Sequence, residues 1–146
     1  MRFLFLALTM LSGLACASGC GRQSAGATAT GTVTIDGRPA PSGIRVDFLS
    51  VAAGGSMSTG YTDDSGRYDL FFNANLRGVM PGDCIVRLSL SETTGADGLP
   101  AIPEALRHIR IPASFGEQSE TIRTVNPGAN TIDLDVTTAD ARSAPR

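Results

Sequence analysis

Apolar and polar residues alternate in short runs along most of this chain. From Ile44 to Phe48, for example, every second residue is apolar, and the residues between are Arg45 and Asp47. Side chains two residues apart lie on the same face of a β-strand, so this pattern predicts strands with one buried face. It predicts about seven short strands, at residues 31–36, 44–50, 57–62, 67–72, 84–90, 120–125 and 131–136.

Turn-forming residues separate these runs. The strongest hairpin signal is the segment 63–66, Asp-Asp-Ser-Gly, and the segment 126–130 predicts another turn. Glycines and prolines between residues 91 and 120 exclude a long helix, so we expect at most one helical turn near residues 104–108. The chain has 17 Gly and 8 Pro and no Trp. Short strands without crossover helices predict an all-β, antiparallel β-sandwich of immunoglobulin-like shape.

The N-terminal residues have the pattern of a bacterial export signal. Arg2 precedes an apolar run at residues 3–15, which is shorter than the roughly 20 residues that a membrane-spanning helix needs. The run leads into Ala-Ser-Gly-Cys at residues 17–20. This sequence resembles a lipobox, in which small residues precede a cysteine whose thiol accepts a diacylglycerol group. Cys20 is therefore the expected lipidation site, Cys16 is the alternative, and an ordinary secretory signal with neither cysteine lipidated is a third interpretation.

Lipidation at Cys20 implies an organisation in four parts. These are a signal peptide at residues 1–19, a flexible tether at 20–29, a β-sandwich domain at 30–137 and a disordered tail at 138–146. The protein is then exported and held in the cell envelope by its lipid, with the domain in the periplasm or at the cell surface. Gly21, rather than Asp, follows Cys20, and by analogy with other lipoproteins this favours the outer membrane.

The order and spacing of several short motifs resemble the carboxypeptidase regulatory-like, or transthyretin-like, domain of small bacterial lipoproteins. The resemblance runs from about residue 30 to 136 and implies a transthyretin-like β-sandwich. The motifs are Gly31–Pro39 (GTVTIDGRP), Val46–Phe48 (VDF), Thr62–Tyr68 (TDDSGRY), Val79–Asp83 (VMPGD), Ile111–Phe115 (IPASF) and Val125–Asn130 (VNPGAN). Cys84 departs from the pattern, since such domains more often carry a tyrosine or an aliphatic residue there.

The third cysteine, Cys84, lies on the apolar side of its predicted strand. It has the same parity as Val86 and Leu88, whereas Arg87 and Ser89 belong to the opposite face. If Cys16 leaves with the signal and Cys20 carries lipid, Cys84 has no partner. We therefore expect a buried free thiol that packs as a small apolar side chain. Nothing nearby in sequence would lower its pKa for catalysis.

Residues suited to catalysis are sparse. His108 is the sole histidine, and Glu104, four residues earlier, is the near candidate for a carboxylate that orients it. Some transthyretin-like proteins are hydrolases with several His and Arg residues and a C-terminal Tyr-Arg-Gly-Ser motif, but this chain ends in Ser-Ala-Pro-Arg. We therefore expect a solvated loop histidine and no enzyme activity.

Three further residue groups suggest binding. Asp63, Asp64 and Asp69 lie close in sequence, but calcium needs six or more converging oxygen ligands, so we expect a structural turn. Arg107 and Arg110, with Arg77 from another loop, are candidates for an anion or polysaccharide contact. Phe71 and Phe115 are the candidate exposed rings for a carbohydrate platform.

The net charge of −2, with 12 basic and 14 acidic residues, argues against a nucleic-acid-binding surface. We therefore predict a non-catalytic envelope lipoprotein without cofactor or metal, which displays one β-sandwich as a structural or interaction module. Its partners would be the membrane, through the anchor, and an envelope protein or polysaccharide. A glycan- or peptide-binding module of the envelope is the alternative prediction, and a transthyretin-like hydrolase is the second alternative.

Overall fold

The computed structural model describes residues 25–52 and 54–138. The predicted signal peptide, the lipidation candidates Cys16 and Cys20, and residues 139–146 of the predicted tail lie outside these residues. Within them the predicted all-β fold is confirmed, as two main sheets packed around one apolar core, with a separate two-stranded sheet in the segment 93–101. The strands are β1 Ala27–Ile35, β2 Arg38–Pro39, β3 Ile44–Ser50, β4 Met57–Tyr61, β5 Arg67–Asp69, β6 Phe71–Asn73, β7 Leu76–Arg77, β8 Gly82–Leu90, β9 Thr93–Thr94, β10 Pro100–Ala101, β11 Ile122–Val125, β12 Gly128–Thr131 and β13 Leu134–Val136.

The larger sheet has six strands in the order β11-β8-β3-β4-β6-β7. Its centre is the antiparallel pair of β3 and β8, whose register runs from Ile44 opposite Leu90 to Ser50 opposite Cys84. The alternation predicted for these two strands is observed, because Val46, Phe48 and Val86 are fully buried. The opposite side chains form the outer face of this sheet, where Asp47 is nevertheless only 9% exposed and accepts hydrogen bonds from the side chains of Arg45 and Thr59.

The smaller sheet is built around β1 and departs from the predicted antiparallel pairing. β12 and β13 both pair with β1 in parallel, whereas β2 and β5 pair with it antiparallel. β12 occupies much of the segment that was predicted as a turn at 126–130. β1 also begins at Ala27, and Ala27 and Ala29 are buried, so residues 27–29 belong to the sheet and not to the tether.

The predicted strand at residues 67–72 divides between the two sheets. β5 pairs with β1 in the smaller sheet, and β6 pairs with β4 in the larger one. Leu70 lies between them and is fully buried. This division, together with several two-residue strands, makes the strand count exceed the predicted seven.

The core lies between the sheets, and Phe48 and Tyr68 pack with ring centroids 6.3 Å apart. The Tyr68 hydroxyl donates a hydrogen bond of 2.5 Å to the carbonyl oxygen of Ile132, and burial raises the pKa of this phenol. The irregular segment contains two short 3-10 helices, Glu104–Leu106 and Ala113–Phe115. The described ranges include no helix long and apolar enough to span a membrane.

Candidate functional site

An open groove of about 600 Å³ lies on the outer face of the larger sheet. We call it the aromatic groove, lined by Met57, Thr59, Gly60, Tyr61, Asp69, Phe71, Phe72, Asn73 and Ala74. Strand alternation makes its floor: in β4, Ser58 and Gly60 are buried, so Met57, Thr59 and Tyr61 point outward. β6 adds Phe71, which lies directly opposite Thr59.

The apolar side chains of the groove are well exposed. Tyr61 is 55% exposed, and Phe71 and Met57 are each 45% exposed. Isolated exposed apolar residues are common on protein surfaces, but a cluster of large ones in one groove is typical of a contact surface. The groove is therefore the best candidate for a binding site in the described part of the chain.

Several polar side chains in and beside the groove already have hydrogen-bond or ion-pair partners. Arg77 and Asp69 form a two-pronged ion pair, with Nη2 to Oδ2 at 2.7 Å and Nε to Oδ1 at 3.0 Å. The Thr59 hydroxyl donates to the Asp47 carboxylate at 2.6 Å. The Asn73 side-chain oxygen accepts from two backbone N–H groups of its own hairpin, each at 2.9 Å. The ion pair also means that Arg77 is engaged, where the sequence suggested a residue available to bind anions.

The three aspartates that raised the question of calcium have separate roles. Asp63 Oδ1 accepts hydrogen bonds from the Ser65 hydroxyl at 2.7 Å, the Ser65 N–H at 2.9 Å and the Arg67 N–H at 3.0 Å. The bond from the Ser65 hydroxyl is the main cause that lowers the pKa of Asp63. Asp64 is exposed, and Asp69 pairs with Arg77 in the groove. The turn predicted for this segment is confirmed, and residues 25–52 and 54–138 contain no group of three metal-ligating side chains.

The other candidates from the irregular segment lie at the surface. His108 and Glu104 are both exposed, as the solvated-loop prediction requires. Arg107 and Arg110 are exposed as well, and each donates to a backbone carbonyl of its own loop, at 3.2 and 3.4 Å. None of these four residues lines the aromatic groove.

The two candidate rings, Phe71 and Phe115, differ in exposure. Phe71 is exposed in the groove, but Phe115 is only 7% exposed and so was wrongly predicted as a possible platform ring. It is buried because the 3-10 helix Ala113–Phe115 turns it into the core cluster. Tyr61 and Phe72, which were not singled out from the sequence as candidate rings, also line the groove. Tyr61 occupies alternate positions of its strand with Met57 and Thr59, and this alternation was the sequence signal that could have placed it on the outer face.

Cys84 is fully buried and is a free thiol, as predicted. Burial, and secondarily the neighbouring Asp83 carboxylate, raise the pKa of this thiol above its ordinary value. Both burial and a raised pKa slow attack on a thiol reagent, because the reacting species is an accessible thiolate.

We expect Cys84 in the Cys16→Ser/Cys20→Ser protein to resist maleimide until urea unfolds the chain, and then to react completely. Mass spectrometry of timed samples measures this. Ser89→Cys in the same background places a thiol on the exposed face of the same strand and should be labelled at once. Prompt labelling of Cys84 in the folded protein would contradict the burial.

No model of a protein family matches this chain, and no curated protein sequence matches it. Among solved structures, the crystal structure of a 9R-lipoxygenase from Cyanothece PCC8801 is similar to part of it, with a TM-score of 0.38 and 14% sequence identity. The match covers 75% of this chain and 16% of the lipoxygenase chain.

Proposed function

We propose that this protein is an exported, lipid-anchored and non-catalytic module of the cell envelope, which acts by contact through the aromatic groove. The observation that carries the contact role is the clustering of Met57, Tyr61 and Phe71 in one groove, each 45% exposed or more. Such a cluster provides an anchored β-sandwich with a binding surface. The anchor is proposed from the lipobox-like residues 17–20.

The distribution of reactive groups supports a role without catalysis. General acid–base or nucleophilic chemistry needs groups within hydrogen-bond reach of a common reacting atom. Here His108 is exposed on a loop and Cys84 is buried in the core. The groove itself contains one carboxylate, Asp69, and Arg77 is already paired with it.

The alternative, a glycan- or peptide-binding module, would use the same groove. Its support is the pair of rings, Tyr61 and Phe71, because sugar rings stack on exposed aromatic side chains. The two candidates differ in whether a glycan or peptide occupies the groove, and the fluorescence of a tryptophan introduced at position 71 separates them.

The anchor is tested by intact mass of the membrane-extracted protein. Because the lipid is attached through a thiol, Cys20→Ser should abolish lipidation and leave the protein uncleaved or soluble, whereas Cys16→Ser should leave the lipid in place. The two serine variants are matched, since each removes one sulfur from neighbouring positions of the same segment. Lipid that persists in Cys20→Ser and is lost in Cys16→Ser would move the site by four residues.

A further inference from the structure

We propose that the aromatic groove rests on the surface of the same bilayer that holds the anchor, so that the membrane itself is the ligand of the groove. This inference rests on the proposed lipidation at Cys20. It follows from the position of Ala25, from the five residues that separate Ala25 from Cys20, and from the chemistry of the groove.

Ala25 lies beside the groove. The Ala25 N–H donates a hydrogen bond of 3.1 Å to the carbonyl oxygen of Arg77 on β7. Arg77 lies opposite Phe71 on β6. Neighbouring strands are about 4.8 Å apart, so the backbone of Phe71 is about 10 Å from Ala25. The chain from Cys20 therefore joins the domain at the sheet edge formed by β7 and β6.

The segment from Cys20 to Ala25 is too short to let this edge move far from the membrane. Ala25 is five residues after Cys20, and five fully extended residues reach at most about 18 Å. The opposite edge of the same sheet is β11, five strand spacings from β7, or about 24 Å away. The groove is thus on the side of the domain that the anchor holds close to the lipid.

The lining of the groove suits a lipid surface better than a sugar. A glycan needs free polar groups for its hydroxyls, but Asp69 and Arg77 are paired with each other and the Thr59 hydroxyl is bonded to Asp47. An apolar occupant leaves these bonds intact. Tyrosine is enriched at membrane–water interfaces because its ring is apolar and its hydroxyl is polar. Met80, which is 42% exposed, adds an apolar side chain near the same edge. It is the residue after Val79, whose backbone pairs with that of Ala27.

The test uses the absence of tryptophan from the chain, which makes a single introduced Trp a specific reporter. Phe71→Trp places it in the groove, and Ile122→Trp is the matched control, because Ile122 is 50% exposed on β11 at the far edge. Each lipidated variant is reconstituted in vesicles of phosphatidylethanolamine and phosphatidylglycerol with brominated acyl chains, which quench nearby indoles. We expect loss of emission at position 71 and retained emission at position 122. Tyr61→Trp provides a second groove reporter should Phe71→Trp not fold.

Each other outcome overturns the inference in a distinguishable way. Retained emission at position 71 in protein that floats with the vesicles excludes contact between groove and bilayer, but leaves the anchored module standing. Equal quenching at positions 71 and 122 would mean that no one edge faces the lipid. Emission at position 71 that responds to soluble peptidoglycan fragments, and not to brominated lipid, would favour the glycan alternative. Absence of lipid from the intact mass overturns both this inference and the proposed anchor.

Discussion

Val86→Asp should lower the free energy of unfolding by about 3–5 kcal/mol, because it places an unpaired carboxylate in the core. Val86 is fully buried and lies opposite Phe48 in the centre of the larger sheet. A domain of this size has only about 5–15 kcal/mol of stability, so the variant should be largely unfolded in mild urea. Urea denaturation followed by circular dichroism measures the change.

The matched control for this variant is Ser89→Asp on the same strand. Ser89 is exposed on the outer face and lies opposite Arg45, so a carboxylate there remains solvated and should change stability by no more than about 0.5 kcal/mol. Arg87 is less suitable, because its Nε is buried without a hydrogen-bond partner and it lies opposite Asp47. Similar denaturation midpoints for the Val86 and Ser89 variants would contradict the two-residue alternation of β8.

Gly31→Ala should also destabilise the fold strongly, although it adds a single methyl group. A Cβ at Gly31 would overlap the carbonyl group of Ile132, with its carbon at 2.6 Å, and would lie 3.1 Å from the Tyr68 ring. That carbonyl also accepts the Tyr68 hydroxyl bond, so relief of the clash disturbs the contact between β1 and the C-terminal strands. Overpacking of this kind costs about 1–3 kcal/mol, which thermal unfolding detects.

Gly116→Ala is the control that separates steric overlap from the general effect of a glycine substitution. Gly116 has φ of −75°, and its nearest heavy atom would be 3.6 Å from an added Cβ, an ordinary contact. Its stability should stay within about 0.5 kcal/mol of the parent. A Gly31→Ala protein that melts together with Gly116→Ala would show that β1 and Ile132 are farther apart than described.

Features set by neighbours along the chain could be predicted from the sequence. The alternation in β3 and β8 predicted which side chains are buried, and Cys84 followed from the same parity. The Asp63 turn was also predictable, because the groups that its carboxylate bonds lie within four residues of it. In each case the deciding interaction is short in sequence or repeats with the period of the strand.

The aromatic groove was only partly predictable. Phe71 was recognised as a candidate exposed ring, but its position beside Tyr61 depends on the pairing of β4 with β6. That pairing exists because the chain changes sheets at Leu70, and no local pattern marks the change. Phe115 was misjudged for a related reason: an isolated apolar residue in an irregular segment has no period that indicates its face.

The sequence by itself determined an all-β domain, the buried faces of its central strands and the tight turn at Asp63, because alternation and turn geometry are local properties. Only the tertiary structure decided the parallel pairing of β1 with β12 and β13. Those partners lie about a hundred residues apart, and which strands pair across such a separation depends on how the whole core packs. The same is true of the groove, which depends on the passage of the chain from one sheet to the other at Leu70, and of its closeness to Ala25, which depends on the hydrogen bond between Ala25 and Arg77.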